Sequence, residues 1–334
     1  MSQFVITPAG SLDWLFAKLP KKNWAIISCA GTEDRCLGVP SWIFSQGKLA
    51  SGQLIIRIDD QPSGYSAEIS KRTDESEARL RAIGVQLGYV RGDITSQPGH
   101  WLPALNAIAK QRSVVLDITS LPKRFFLYAV KFLLNSVDVN DLVITYTKPE
   151  YYPEGQLSAS ALTPSPIPGF ARELSHASES MFFVGVGYVA FNLEELLKQR
   201  QGKQIKFAMP FPPGSPAARR NWNLLKQLHP EARIDTEIRR IHSADAFEIL
   251  RWVVAAASNF EGSIDLIPLG PKPHAIGMAL AFLELGPRCQ ITYAQPMVYR
   301  PDYSVGVARR TDGNLDAYAY CLKINGNSTY KGMI

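Results

Sequence analysis

Two short turns carry residue types that bind anions in α/β proteins. Each turn follows an apolar run, contains the pair Pro-Lys and precedes a helix-forming segment. The N–H groups at a helix N-terminus attract an anion, a small or hydroxyl residue permits its close approach, and lysine adds positive charge. Each can also be an ordinary turn in which proline starts the helix and lysine is solvated. The candidate ligand-binding residues are Thr119, Ser120 and Lys123 in the first turn, and Gly270, Lys272 and His274 in the second.

The first strand-to-helix turn of the first half offers a second set of ligand-binding groups. Residues 28–35 (SCAGTEDR) contain hydroxyls, a glycine and an arginine. Such a turn can cradle the phosphate of a nucleotide, because the backbone is accessible and a cation stands nearby. We therefore predict that Ser28, Thr32 and Arg35 bind ligand.

The corresponding turn of the second half matches a dinucleotide-binding pattern. Residues 185–190 (GVGYVA) read G-x-G-x-x-A after an apolar run, which makes Gly185 and Gly187 candidate binding residues. The pattern also requires an acidic residue at the end of the next strand, to hold the ribose. That strand runs directly into Pro210 without one. We therefore expect no nicotinamide, flavin or other cofactor.

Two further clusters each have two interpretations. Four acidic residues near strand ends can hold a metal or act as acid–base groups, or they can be solvated loop charges. They are Glu33, Asp34, Asp59 and Asp60. Tyrosines after the last strand of each half can stack on bases, or they can pack the two halves together. These are Tyr151, Tyr152, Tyr299 and Tyr303.

Strand-like and helix-like segments alternate along the chain, which indicates βαβ units. The predicted strands are Trp24–Ala30, Gln53–Ile58, Ser113–Ile118, Asp141–Tyr146, Met181–Val186, Gln204–Met209, Ser263–Leu269 and Cys289–Tyr293. The predicted helices are Ser66–Ile83, Trp101–Gln111, Lys123–Asn135, Asn192–Gln201, Pro216–Leu228, Ala244–Asn259 and Pro273–Leu285. The fold class is therefore α/β, with two tandem Rossmann-like domains and mainly parallel sheets.

The two halves resemble each other in sequence. Residues 144–152 (ITYTKPEYY) and 291–299 (ITYAQPMVY) are identical at five of nine positions without a gap. The two Pro-Lys turns lie about 150 residues apart in the same order. This predicts an internal duplication. We place the first domain at 1–155, a Pro/Ser-rich linker at 156–180, and the second domain at 181–334.

Bulk composition narrows the functional classes. The 334 residues are 46% hydrophobic and 20% charged, with a net charge of +6 whose basic residues are scattered. This charge suits an anionic ligand, and we expect no sequence-specific DNA binding. No signal peptide or membrane span is evident, so we expect a cytoplasmic protein with reduced cysteines and no membrane partner. The five histidines show no metal-binding spacing, so we expect no metal.

The second Pro-Lys turn resembles a known family. Residues 269–281 (LGPKPHAIGMALA) look like the Gly-x-Lys turn and following helix of CRISPR-associated Rossmann-fold (CARF) domains. Residues 117–123 (DITSLPK) resemble a second copy, with Leu121 where the family has glycine. In that family, paired Rossmann-like domains bind a cyclic oligoadenylate across a twofold axis, and these turns touch its phosphates. The resemblance implies a single-chain pseudo-dimer with one pocket shared by both halves.

Three functions remain open at this stage. The first is a nucleotide or cyclic-oligonucleotide sensor that signals to a partner protein, as in bacterial antiviral defence. Its pocket would use Lys123, Lys272 and Arg35. The second is an enzyme that acts on a nucleotide or phosphodiester at the same cleft. The third is a structural subunit of a protein complex with a vestigial pocket.

Overall fold

The computed structural model describes residues 8–84, 86–155, 157–173, 179–187, 204–212, 222–223, 225–227 and 237–331. The chain forms two compact units. Unit 1 comprises Met1–Ser160 together with Pro296–Met333, and unit 2 comprises Ala161–Gln295. This differs from the sequence-based division, which gave 181–334 to the second domain and 156–180 to a linker. Unit 2 is thus an insertion in unit 1.

The elements follow one another in α/β alternation. The first part of unit 1 contains β1 (Ala9–Ser11), α1 (Leu12–Lys18), β2 (Trp24–Ala30), α2 (Gly38–Ser45), β3 (Leu49–Asp59), α3 (Ser66–Ile83), β4 (Gln86–Asp93), α4 (Pro98–Ala109), β5 (Ser113–Asp117), α5 (Lys123–Asn135), β6 (Asp141–Thr147) and β7 (Ser158–Ala161). Unit 2 contains β8 (Ser165–Pro166), β9 (Ser180–Gly185), β10 (Gln204–Phe211), β11 (Ile238–His242), α6 (Ala246–Ala257), β12 (Ser263–Pro268), α7 (Lys272–Leu285) and β13 (Cys289–Tyr293). Unit 1 resumes with β14 (Pro296–Tyr299), β15 (Ala317–Ile324) and β16 (Asn327–Ser328).

The main sheet of unit 1 is parallel at its centre and antiparallel at one edge. Its order is β1-β15-β6-β5-β2-β3-β4, and β16 pairs with β15. The five strands from β6 to β4 run parallel, whereas β15 is antiparallel to both β6 and β1. All seven residues of β2 are buried, as expected for a central strand covered on both faces. Strand β15, between the edge strand β1 and β6, comes from the C-terminal segment, which explains why that segment belongs to unit 1.

The sheet of unit 2 has the order β11-β10-β9-β12-β13-β8. Its first five strands are parallel, and β8 adds an antiparallel edge, with Pro166 opposite Thr292. Residues 165–170, which the sequence assigned to a linker, therefore contribute a strand and the buried side chains of Ile167 and Phe170. Helix α6 begins at a conventional cap, because the Asp245 carboxylate accepts a 2.8 Å hydrogen bond from the Glu248 N–H.

Counted along the chain, the parallel strands of each unit have the same spatial order: third, second, first, fourth, fifth. This is the strand order of one Rossmann-like sheet, so the α/β fold class with mainly parallel sheets is confirmed. A shared strand order does not by itself establish common descent, and the duplication stays a prediction. No helix within the described ranges is long and apolar enough to cross a membrane.

Several predicted elements agree closely with the structure. Strands Trp24–Ala30 and Cys289–Tyr293 and helices Ser66–Ile83 and Lys123–Asn135 have the predicted bounds. The predicted helix Asn192–Gln201 lies outside the described residues, as does most of Pro216–Leu228. All four cysteine side chains are buried thiols rather than disulfides.

Candidate functional site

The predicted binding turns lie where the strand order of each sheet reverses. In an open parallel sheet, ligands bind outside the carboxyl ends of the strands at such a switch. The switch lies between β2 and β5 in unit 1 and between β9 and β12 in unit 2. The two turns predicted for each half therefore meet at one place in their own unit.

In unit 1 the two turns meet at Gly31 and Ser120. A Cβ atom on Gly31 would lie 3.1 Å from the Ser120 Cβ, so glycine allows the close approach. The Ser120 Oγ is buried and has no hydrogen-bond partner among the residues that the structure describes. An unpaired buried hydroxyl is unfavourable unless something binds it. Thr32 is half-buried beside this contact, and Lys123 begins the helix that follows.

Thr119, in contrast, is part of the framework. It is fully buried, and its hydroxyl donates to the Asp117 carboxylate and accepts a 3.0 Å bond from the Thr147 N–H. Thr145 adds a 3.3 Å bond to the same carboxylate. These bonds hold the end of β6 against the β5–α5 turn. Ser28 is likewise buried within β2, where it donates to the Gln53 side chain at 3.3 Å.

Arg35 is also enclosed rather than presented to a ligand. Its side chain is 1% exposed. Its Nε and Nη2 donate to the Glu33 carboxylate at 2.9 and 2.7 Å, and its Nη1 donates to the Tyr146 hydroxyl and the Thr147 carbonyl at 3.2 and 3.0 Å. Burial alone would lower the pKa of Arg35, but the Glu33 carboxylate holds that pKa well above its usual value. Through these bonds Arg35 stabilises the turn from within the protein. The sequence could not reveal this role.

The two tyrosine-rich segments pack against each other within unit 1. The ring centroids of Tyr152 and Tyr303 lie 6.2 Å apart, and those of Tyr299 and Tyr303 lie 5.6 Å apart, both edge to face. Ser304 donates to the Glu33 carboxylate, and the Gln61 N–H donates to the Met297 carbonyl at 3.0 Å. The segment after β14 therefore covers part of the carboxyl edge of the unit 1 sheet.

The four acidic residues have separate roles. Asp59 pairs with Arg57 at 3.1 Å and Arg91 at 2.6 Å, whereas Asp34 lies 3.5 Å from Arg79. The half-buried Asp60 accepts a 2.7 Å bond from the Tyr299 N–H, and burial raises its pKa to about 6. No group of three or more metal-ligating side chains occurs in the described part of the chain.

In unit 2, glycines bring the two turns together by backbone contact. A Cβ on Gly187 would overlap the Leu269 carbonyl oxygen, and a Cβ on Gly270 would lie 3.3 Å from the carbonyl carbon of Gly185. The glycine pattern is therefore explained by packing between the turns. Its last position, Ala190, lies outside the described residues.

The two polar residues of this second turn are placed differently. His274 is fully buried, and its Nε2 donates to the His242 carbonyl at 3.0 Å. Lys272 is half-buried at the first position of α7. A pocket shared by Lys123 and Lys272 stays a prediction.

Comparisons with known proteins add little to this geometry. No protein-family model matches the sequence, and no curated protein matches it. Similar solved structures include a putative universal stress protein from Pseudomonas aeruginosa UCBPP-PA14 (12% identity, 81% of this chain and 93% of that chain, TM-score 0.22). Another is a hexameric APS kinase from Thiobacillus denitrificans (13% identity, 83% and 69% coverage, TM-score 0.22).

The sequence did not predict one feature of unit 1, a groove between α4 and α5. It is lined by both helices, by Ile56 of β3 and by Leu121 of the β5–α5 turn. Its lining includes Trp101 and Arg124, two residues that carry polar groups. These two residues lie on different helices and share no motif, so only the tertiary structure brings them together.

Proposed function

We propose that this protein binds an anionic nucleotide at the switch turns and passes the signal to a partner protein. The Ser120 Oγ carries the proposal, because it is buried and without a hydrogen-bond partner in the described residues, beside Gly31 at the switch of a Rossmann-order sheet. A phosphate oxygen is a suitable acceptor for this hydroxyl. The start of α5 and the charge of Lys123 favour an anion at the same place.

The finer parts of the proposal come from the CARF resemblance. They are a cyclic oligoadenylate as the ligand, output through a partner protein, and a role in bacterial antiviral defence. By the same resemblance, Lys272 and Gly270 would contact an anion at the switch of unit 2. The enclosed positions of Arg35, Thr119 and His274 favour a supporting role for these residues.

Thermal stabilisation by ligand tests this proposal on the full chain. We expect cyclic tetra-adenylate to raise the melting temperature more than ATP does. Lys123→Ala and Lys272→Ala should each weaken binding by about 1.5–3 kcal/mol, as for a lost charged hydrogen bond. Ser120→Ala should weaken it less, and Ser136→Ala, at the other end of α5, should have no effect.

Three results would contradict the sensor. If both lysine variants bind as the wild type does, the assignment of the turns is wrong. Consumption of the nucleotide would indicate an enzyme. Absence of any nucleotide effect, combined with tight co-purification of another protein, would indicate a structural subunit.

A further inference from the structure

The groove between α4 and α5 combines an apolar wall with two unusual polar groups. About 400 Å³ of space free of protein atoms lies against its lining, open solvent included. Its apolar lining includes Ile56, Leu105, Leu121 and Phe125. Such a mostly apolar surface with few polar groups is typical of small-molecule sites.

The first unusual group is the indole N–H of Trp101. The side chain is 4% exposed, and its ring lies 5.1 Å from that of Phe125 in an edge-to-face arrangement. Gly92 makes room for it, since a Cβ there would lie 2.7 Å from the Trp101 Cζ2. The ring is thus held on two sides. Its Nε1 is buried and has no acceptor among the described residues, which is unfavourable for a buried tryptophan.

The second unusual group is the guanidinium of Arg124, in the first turn of α5. No hydrogen bond or ion pair to any described residue involves this side chain, in contrast to Arg35 and Arg57. Partial burial lowers the pKa of Arg124, and no neighbouring acid opposes that effect. Arg124 therefore brings to the groove lining a positive charge that no described residue pairs with.

We propose that this groove binds a small monocarboxylate with an aromatic or branched apolar body. The carboxylate would pair with Arg124, whose fork of N–H groups matches two carboxylate oxygens. One carboxylate oxygen would also accept a hydrogen bond from the Trp101 N–H, and the apolar body would replace water against Leu105 and Phe125. This site is separate from the nucleotide contact at Ser120 and has a different ligand class.

The number of charges decides between ligand classes. Arg124 is the one cationic side chain in the lining formed by the described residues. A nucleotide polyphosphate would bring several negative charges and many hydroxyl groups into a mainly apolar space, at a high desolvation cost. A single carboxylate on an apolar body would neutralise the charge of Arg124 and cover the apolar lining with apolar surface.

Calorimetric titration of the full chain tests the proposal. Phenylacetate is the probe, phenylacetamide is its uncharged counterpart, and AMP is the nucleotide probe. We expect phenylacetate to bind at least about tenfold more tightly than phenylacetamide, as one charged hydrogen-bonded pair would give. Arg124→Gln should abolish this preference. Arg79→Gln, on an exposed arginine of α3, should preserve it.

A second variant tests the indole N–H. Trp101→Phe should weaken phenylacetate binding about threefold to tenfold while the circular dichroism spectrum stays that of a folded chain. Equal affinity for acid and amide, or no response to Arg124→Gln, would overturn the proposal. So would failure of phenylacetate to bind at millimolar concentration. Binding of AMP that Arg124→Gln abolishes would instead make the groove part of the nucleotide site.

Discussion

The switch turns of the two units are built differently although the strand order is the same. In unit 2, the turns after β9 and β12 touch through their backbones, which requires glycine at position 187 and leaves little room for a Cβ at Gly270. In unit 1, Gly31 faces the Ser120 side chain. The buried Arg35 stabilises the turn by donating to the Glu33 carboxylate and the Thr147 carbonyl. One topology can thus join its switch turns by backbone packing or by polar side chains. The Ser120 hydroxyl, which has no hydrogen-bond partner among the described residues, lies at the switch of unit 1, where side chains make the contact.

The largest effect on stability should come from replacing Arg35, the buried arginine that stabilises the unit 1 turn. Arg35→Met leaves the Glu33 carboxylate without its buried cation, which should lower the free energy of unfolding by about 3–5 kcal/mol. Arg79→Met is the control, because its pair with Asp34 is exposed and should contribute less than about 1 kcal/mol. Urea denaturation followed by circular dichroism measures both. Equal stability of Arg35→Met and Arg79→Met would show that the buried bonds of Arg35 do not stabilise the fold.

Glycine substitutions test the comparison directly. Gly187→Ala should destabilise the protein by about 2–4 kcal/mol, since the new Cβ overlaps the Leu269 carbonyl. Gly31→Ala should cost less than about 1 kcal/mol, because Ser120 can move slightly. Gly64→Ala, where no atom lies within 4 Å of the new Cβ, serves as control. If Gly31→Ala is as damaging as Gly187→Ala, the two switches do not differ in the way described.

The neighbouring hydroxyls of unit 1 should behave differently from each other. Thr119→Val removes a donor to Asp117 and an acceptor for the Thr147 N–H, which should cost about 1–3 kcal/mol. Ser120→Ala removes an unpartnered hydroxyl and should change stability by less than about 0.5 kcal/mol. Thermal melts of the ligand-free variants compare them. A large loss of stability in Ser120→Ala would mean that this serine is structural.

The smallest effect concerns the segment that covers the unit 1 edge. The pKa of Asp60 is raised to about 6 in the folded state, so folding favours its protonated form. The stabilisation that Asp60 gives the folded state is fully present below its unfolded pKa of about 4. It declines as the pH rises to about 6. Relative to Asp60→Asn, the wild type should therefore lose about 1–2 kcal/mol between pH 4 and pH 7. A stability difference that stays constant over this range would contradict this.

Local sequence patterns predicted individual helices and strands better than they predicted which strands pair. The buried run Trp24–Ala30 and the helix Lys123–Asn135 have clear local signals, and both bounds agree with the structure. The return of β15 to pair with β6 has no local signal, because it joins residues more than 150 positions apart. For the same reason the sequence-based division did not join the C-terminal segment to unit 1.

The site shows the same limit. Sequence reasoning placed the candidate binding turns between a strand end and a helix start, because both are visible in the chain. It did not separate Ser120 from the adjacent Thr119, since that difference depends on partners supplied by Asp117 and Thr147. It also missed Trp101 and Arg124, whose proposed roles depend on burial and on the absence of partners in the described structure.

The insertion of unit 2 has a consequence for synthesis on the ribosome. Chains are made from the N-terminus, and domains generally fold as units during synthesis. Unit 2 is complete once Gln295 has been made, whereas unit 1 still awaits β15. The parallel strands of unit 1 must therefore remain without their antiparallel neighbour while all of unit 2 emerges. During that interval the exposed edge of β6 is the part of the nascent chain most in need of protection from aggregation.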